Sequence, residues 1–155
     1  QLAAEIGSDV PFFVGSGPAF CQGRGERIHR LTGLDSLDLV VACPSEGLST
    51  AAVYRNCQPA EHPRDAETLI DALRSGNRRR LAGAMFNRLE GPAAGLSQWI
   101  ANLAGEFAAL GCVAAQMSGS GTSYFGVCHH AGHARRTARL LKARGFERVY
   151  AVRTI

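Results

Sequence analysis

Cys112-Val-Ala-Ala-Gln-Met117-Ser118-Gly119-Ser120-Gly121-Thr122-Ser123-Tyr-Phe-Gly-Val-Cys128 is the stretch whose reading decides the fold. Cys112 to Met117 and Ser123 to Cys128 are short apolar runs with no helical period. They read as two strands joined by the turn Ser118-Gly119-Ser120-Gly121. Just upstream, Leu96, Ile100, Leu103, Phe107 and Leu110 recur at steps of four, three, four and three, an apolar stripe on a 3.6-residue period that Gly111 ends. Just downstream, residues 131–144 read as a basic amphipathic helix with Ala134, Ala138, Leu140 and Leu141 inward. Gly145 caps it, and Arg148 to Thr154 is a closing strand.

Further out, Leu37 to Cys43 is a continuous apolar run stopped by Pro44, the pattern of a buried strand. Asp65 is placed to cap a helix carrying Leu69, Ile70 and Leu73 and ending at Gly76. Asn77 is placed to cap a second one carrying Leu81, Met85, Phe86 and Leu89. From Leu37 on, the order is strand, helices, strand, strand, helix, strand. That order predicts an α+β fold, a ferredoxin-like sandwich with an antiparallel sheet and helices on one face. Before it, Val10 to Val14 and Ala19 to Leu31 read as short strands around Gly15-Ser16-Gly17-Pro18.

The chain of 155 residues, 46% hydrophobic and 19% charged, has a globular composition, which excludes a disordered chain. A net charge of +4 suits an anionic ligand such as a phosphorylated metabolite, and equally a weak nucleic-acid contact. No apolar run approaches a membrane span. The five cysteines are scattered, odd in number and without a CxxC pair, so they read as buried thiols of a reducing cytosol. Gln1 opens the chain, and Gln-Leu-Ala-Ala-Glu-Ile-Gly reads as the end of a helix. The expectation is a chain that begins inside something larger.

Four stretches offer chemistry. Asp9, in Gly7-Ser8-Asp9-Val10-Pro11-Phe12-Phe13, sits at a junction suited to accepting or orienting a hydroxyl proton; from these residues alone, a turn aspartate bonding its own backbone is the simpler account. In Met117-Ser118-Gly119-Ser120-Gly121-Thr122, two glycines let successive N–H groups converge on phosphate oxygens, although an ordinary hairpin turn uses the same residues. The segment Pro44 to Tyr54 follows a buried strand; Thr50 is placed to cap a short helix presenting Tyr54, which either stacks on a nucleobase or is a half-buried core residue. His129, His130 and His133 straddle a strand end and a helix start with no carboxylate or cysteine at a matching interval. They read as a solvated helix N-terminus, and no metal is expected. Arg78-Arg79-Arg80 reads as solvated charge and Gly23-Arg24-Gly25-Glu26 as a strand-to-strand turn.

The order of these motifs is more specific than any of them. Gly-Ser-Asp-Val-Pro-Phe-Phe at 7–13, Gly-x-Gly-Glu at 23–26, Pro-x-x-Gly-Leu-Ser-Thr at 44–50 with Val53-Tyr54, Asn87-x-Leu89-Glu90, and Met-Ser-Gly-Ser-Gly at 117–121 with Phe125 resemble the C-terminal half of the 4-diphosphocytidyl-2-C-methyl-D-erythritol kinases, of the GHMP kinase superfamily. The resemblance covers essentially the whole chain. It implies transfer of the γ-phosphoryl group of ATP to a hydroxyl of a cytidyl-erythritol substrate with Mg²⁺. It makes Asp9 the catalytic aspartate, Tyr54 the aromatic against the cytosine and Thr50 part of the substrate loop. Ser118, Gly119, Ser120 and Gly121 become the Gly-rich turn near the phosphates. It further implies that residues 1–33 are a remnant of the N-terminal domain and 34–155 the C-terminal substrate domain. The family's ATP loop, Mg²⁺ ligands and catalytic lysine would lie upstream of Gln1, leaving the fragment inactive alone. The implied partner is a small molecule in the cytoplasm, not a nucleic acid or a membrane; a homodimer stays open. A related homoserine or mevalonate kinase, or a non-catalytic ferredoxin-like module, are the alternatives.

Overall fold

Residues 7, 10–45, 47–61, 64–121 and 123–155 are described by the computed structural model, which divides between Asp35 and Ser36 into two compact units. The expected helix end at residues 1–6 and Asp9 itself lie outside the described residues. In the first unit, Val10–Val14 is a short helix, α1, and not the strand its composition suggested. Pro11 explains the difference: in the first helical turn its missing N–H has no partner to lose and its fixed φ is already helical. The Arg30 guanidinium donates to the carbonyls of Phe12 (2.9 Å) and Gly17 (3.0 Å), satisfying groups that a helix end leaves open. The expected strand over 19–31 is a hairpin, β1 (Ala19–Gln22) against β2 (Arg27–Arg30), turned at Gly23-Arg24-Gly25-Glu26 with φ of 71° and 109° at the two glycines.

The second unit holds a four-stranded antiparallel sheet. Its first strand, β3 (Asp38–Cys43), is central, because a run apolar at successive positions needs cover on both sides. Five helices follow: α2 (Thr50–Arg55), α3 (Glu67–Arg74), α4 (Arg78–Ala84), α5 (Glu90–Leu96) and α6 (Gln98–Ala109). Then come β4 (Ala114–Ser118), β5 (Ser123–Val127), α7 (Ala131–Ala143) and β6 (Arg148–Arg153). The strand order β4-β5-β3-β6 is that of a ferredoxin-like sheet.

Pleat alternation divides the packing. Val40 and Ala42 face one way with Tyr124 and Val149, against Ile100, Leu103 and Phe107 of α6 and Ala134, Ala138 and Leu141 of α7. Leu39 faces the other way with Phe125 and Val127, beneath Leu69, Ala72, Leu73 and Leu81 of α3 and α4. Helices therefore cover both faces, which corrects the single helical layer expected from element order. Two helix ends also differ from the expectation. The Asn77-capped helix stops at Ala84, leaving Met85, Phe86 and Leu89 beyond it. The apolar stripe begins at Ile100, since Leu96 closes α5 and is half exposed. Cys21 is exposed and only Cys128 is fully buried, so the cysteines are not uniformly interior.

Candidate functional site

The β4–β5 turn is built on two glycines with positive φ. Gly119 has φ 56° and Gly121 φ 115°, and a Cβ on Gly121 would lie 2.8 Å from Leu48 Cδ1. The Gly121 N–H closes the turn on the Ser118 carbonyl at 3.2 Å. The amide of Asn87 then clamps it. Asn87 Nδ2 donates to the carbonyls of Met117 and Gly119, each at 2.8 Å, while Oδ1 accepts the Leu89 N–H at 3.0 Å, ahead of α5. With these carbonyls held by one side chain, the N–H groups of Gly119 and Ser120 have no acceptor among the described residues. Unshared N–H groups at a glycine turn are the kind of donor that anion-binding nests use.

Glu90, three residues on, braces the same strand from below. Its carboxylate accepts the Met117 N–H at 2.9 Å and the Tyr124 O–H at 2.7 Å. Met117 and Tyr124 are at most 1% exposed, so both donors are buried, while Glu90 itself is half-buried. Burial first, and then the hydrogen bond to Glu90, push the Tyr124 phenol above its usual range. The sign follows directly. A raised folded-state value contributes stability in full below the unfolded phenol's pKa near 10 and loses it as the pH climbs past that point. Urea unfolding between pH 9 and 11 will therefore show a decline that Tyr124→Phe flattens; an identical decline in both proteins would refute the coupling.

The Pro44–Tyr54 segment meets the turn directly. Thr50 Oγ1 and Ser120 Oγ are 2.9 Å apart. The cap of α2 is Ser49, whose Oγ accepts the Ala52 N–H at 3.3 Å, not Thr50 as the sequence suggested; Thr50 is left to reach the turn. Fully buried Val53 anchors α2, and Tyr54 beside it is 60% exposed, with its ring free to meet a ligand. The structure thus brings Thr50 and Ser118–Gly121 together. Asn87 and Glu90, carried in the motif order but given no role from the residues alone, turn out to hold the turn in shape. Their signal was the Asn-x-Leu-Glu spacing, which sets two side chains at a helix start toward one strand.

Residues 69–146 match the family model described as GHMP kinases C terminal. Over 158 aligned positions the chain is 39% identical to the 4-diphosphocytidyl-2-C-methyl-D-erythritol kinase of Bacillus velezensis, covering all of this chain and 54% of that protein. The enzyme of the same name from Pelotomaculum thermopropionicum is 35% identical, over 99% of this chain and 54% of its own length. A crystal structure of 4-(cytidine 5'-diphospho)-2C-methyl-D-erythritol kinase superposes with a TM-score of 0.82 at 35% identity, covering 99% of this chain and 56% of that one. Homoserine kinase from Cytophaga hutchinsonii, at 12% identity and a TM-score of 0.69, shares the fold. The chain spans about half the length of these relatives. No helix among the described residues is long and apolar enough to cross a membrane. With the family model spanning half of its residues, an antiparallel sheet in the family's arrangement and a glycine turn clamped at its end, the chain belongs to the GHMP kinase family.

Proposed function

We propose that this chain is the C-terminal portion of an ATP-dependent kinase that phosphorylates the 2-hydroxyl of 4-(cytidine 5'-diphospho)-2-C-methyl-D-erythritol, a cytoplasmic step of non-mevalonate isoprenoid synthesis. The observation that carries the reading is the Thr50–Ser120 contact, which joins the loop expected to hold the substrate to the turn expected to face the phosphates. The relatives named for this reaction support the choice of substrate.

Phosphoryl transfer asks a protein mainly for alignment and charge stabilisation. Ser118–Gly121 serve that end: the unshared N–H groups and the serine hydroxyls donate to phosphate oxygens, at no cost of reorganisation because Asn87 and Glu90 already fix the turn. Thr50 sets the distance between turn and substrate loop. Tyr54 offers its exposed ring to the cytosine. Asp9 accepts or orients the proton of the attacking hydroxyl. Mg-ATP supplies the transferred phosphoryl group. Both Glu90 oxygens are engaged by protein donors, so this carboxylate serves the turn.

The experiment uses a polypeptide extended to the length of the relatives, assayed with Mg-ATP against the cytidyl-erythritol substrate, homoserine and mevalonate. Turnover is expected with the first alone. Tyr54→Ala will raise KM for it on the order of 5- to 150-fold, the loss of one base stack, and leave KM for ATP unchanged. Preference for homoserine or mevalonate would replace this reading with a different kinase of the same fold, and no phosphorylation of any acceptor would leave a binding module.

A further inference from the structure

Away from the turn, three soft or borderline ligand atoms meet where three elements end. Cys112 follows Gly111, the φ 72° residue that stops α6, and its N–H bonds the Phe107 carbonyl at 3.1 Å. Cys128 ends β5, with its N–H on the Asp38 carbonyl at 2.8 Å and its own carbonyl held by Arg78 at 2.8 Å. His133 stands in the first turn of α7. The two sulfurs are 4.0 Å apart, and one ring nitrogen of His133 completes a set whose atoms all lie within 4.8 Å of one another. Sequence intervals concealed this set, because the cysteines flank a β-hairpin and the histidine lies on the next helix. Nothing in the kinase reading uses it.

We propose that Cys112, Cys128 and His133 form a binding site for a thiophilic divalent cation of the zinc class, with its fourth position open to solvent. The dimensions suit the ion. Tetrahedral zinc with bonds of about 2.3 Å to sulfur sets its two sulfurs about 3.7 Å apart, so the thiols need move only a few tenths of an ångström, and the imidazole about one. Two thiolates and an imidazole are the donors that favour zinc over magnesium or calcium. The ring is oriented from behind: Nε2 lies 3.0 Å from the Leu110 carbonyl, which only accepts, so Nε2 carries the proton and Nδ1 the lone pair. Nδ1 at present receives the His129 N–H at 3.3 Å, the bond a metal displaces.

A surface pocket of about 360 Å³ lies on the His133 side of the cluster, lined by Leu110, Gly111, His129, His130, His133 and Arg136 among others. The His129 ring stacks on that of His133 with centroids 5.4 Å apart, which holds the imidazole in place.

The test is titration of the reduced, chelator-treated chain with Co²⁺ as a spectroscopic probe, followed by displacement with Zn²⁺. One equivalent of Co²⁺ is expected to give intense tetrahedral d–d bands and thiolate-to-cobalt charge transfer that zinc abolishes. Cys112→Ser and His133→Phe will each weaken binding at least about tenfold. A Cys21→Ser/Cys43→Ser/Cys57→Ser triple variant will bind as the parent does. Absence of charge transfer in the parent, or charge transfer of the parent's intensity and affinity in Cys112→Ser, overturns the proposal. Should the single variants unfold, alkylation of the parent decides: zinc must protect Cys112 and leave exposed Cys21 reactive, and equal labelling of Cys112 with and without zinc rejects the site.

Discussion

Asp9→Asn is expected to lower kcat on the order of 10²- to 10⁴-fold in the extended enzyme, the range for removing a positioned proton acceptor, with KM for the cytidyl substrate nearly unchanged. Asparagine keeps the shape and one acceptor oxygen of aspartate but offers the hydroxyl no base. A substrate held by Thr50 and Tyr54 would still bind, because neither contact depends on the carboxylate. The split between kcat and KM separates this role from a structural one: a turn aspartate would lose stability or binding, not the chemical step. The pH–rate profile adds a second reading, since the acid limb of kcat should go with the carboxylate. Turnover within a few-fold of the parent would mean that substrate phosphate oxygens accept the proton and that Asp9 has no chemical part.

Patterns of local origin were legible in the sequence, and those set by tertiary contact were not. The apolar run before Pro44, short, rich in Val and Leu and stopped by proline, reads as a buried strand, and β3 is an inner strand of the sheet. The stripe through Ile100, Leu103 and Phe107 faces the core because 3.6-residue spacing allows only one inward side. Val10–Val14 was misleading because β-branched and aromatic residues outvoted Pro11 in composition, whereas a proline in the first turn decides the backbone. The Asn77-capped helix read too long because Met85, Phe86 and Leu89 continue an apolar pattern past the point where the chain turns toward Asn87 and the β4–β5 turn. The cap of α2 falls on Ser49 and frees Thr50 for Ser120, a choice between adjacent hydroxyls that only the position of the turn 70 residues later settles. The Cys112, Cys128 and His133 cluster was hidden for the same reason: no interval in the chain measures a distance across a hairpin.

Glu90→Ala should remove more stability than any other single change at the turn. The carboxylate serves two donors that water cannot reach, the Met117 N–H and the Tyr124 O–H. Truncation strands both, at about 1–3 kcal/mol for each unsatisfied buried donor, so a loss on the order of 2–6 kcal/mol is expected in urea unfolding. Glu90→Gln offers one acceptor oxygen in place of two and should fall between parent and alanine. Tyr124→Phe removes one donor with its partner group still served by Met117, and should cost about 0.5–1.5 kcal/mol. The double variant carries the argument. With the phenol already gone, Glu90→Ala strands only the Met117 N–H, so its cost must shrink, and additivity within about 0.5 kcal/mol would show that the Glu90–Tyr124 bond does not form in solution. The effect should reach function by a path that Asp9→Asn does not touch. Met117 precedes the turn, and once its N–H is released the carbonyls that Asn87 clamps lose their fixed position. The Glu90 variants should therefore weaken phosphate alignment in proportion to their loss of stability, while Asp9→Asn leaves stability intact.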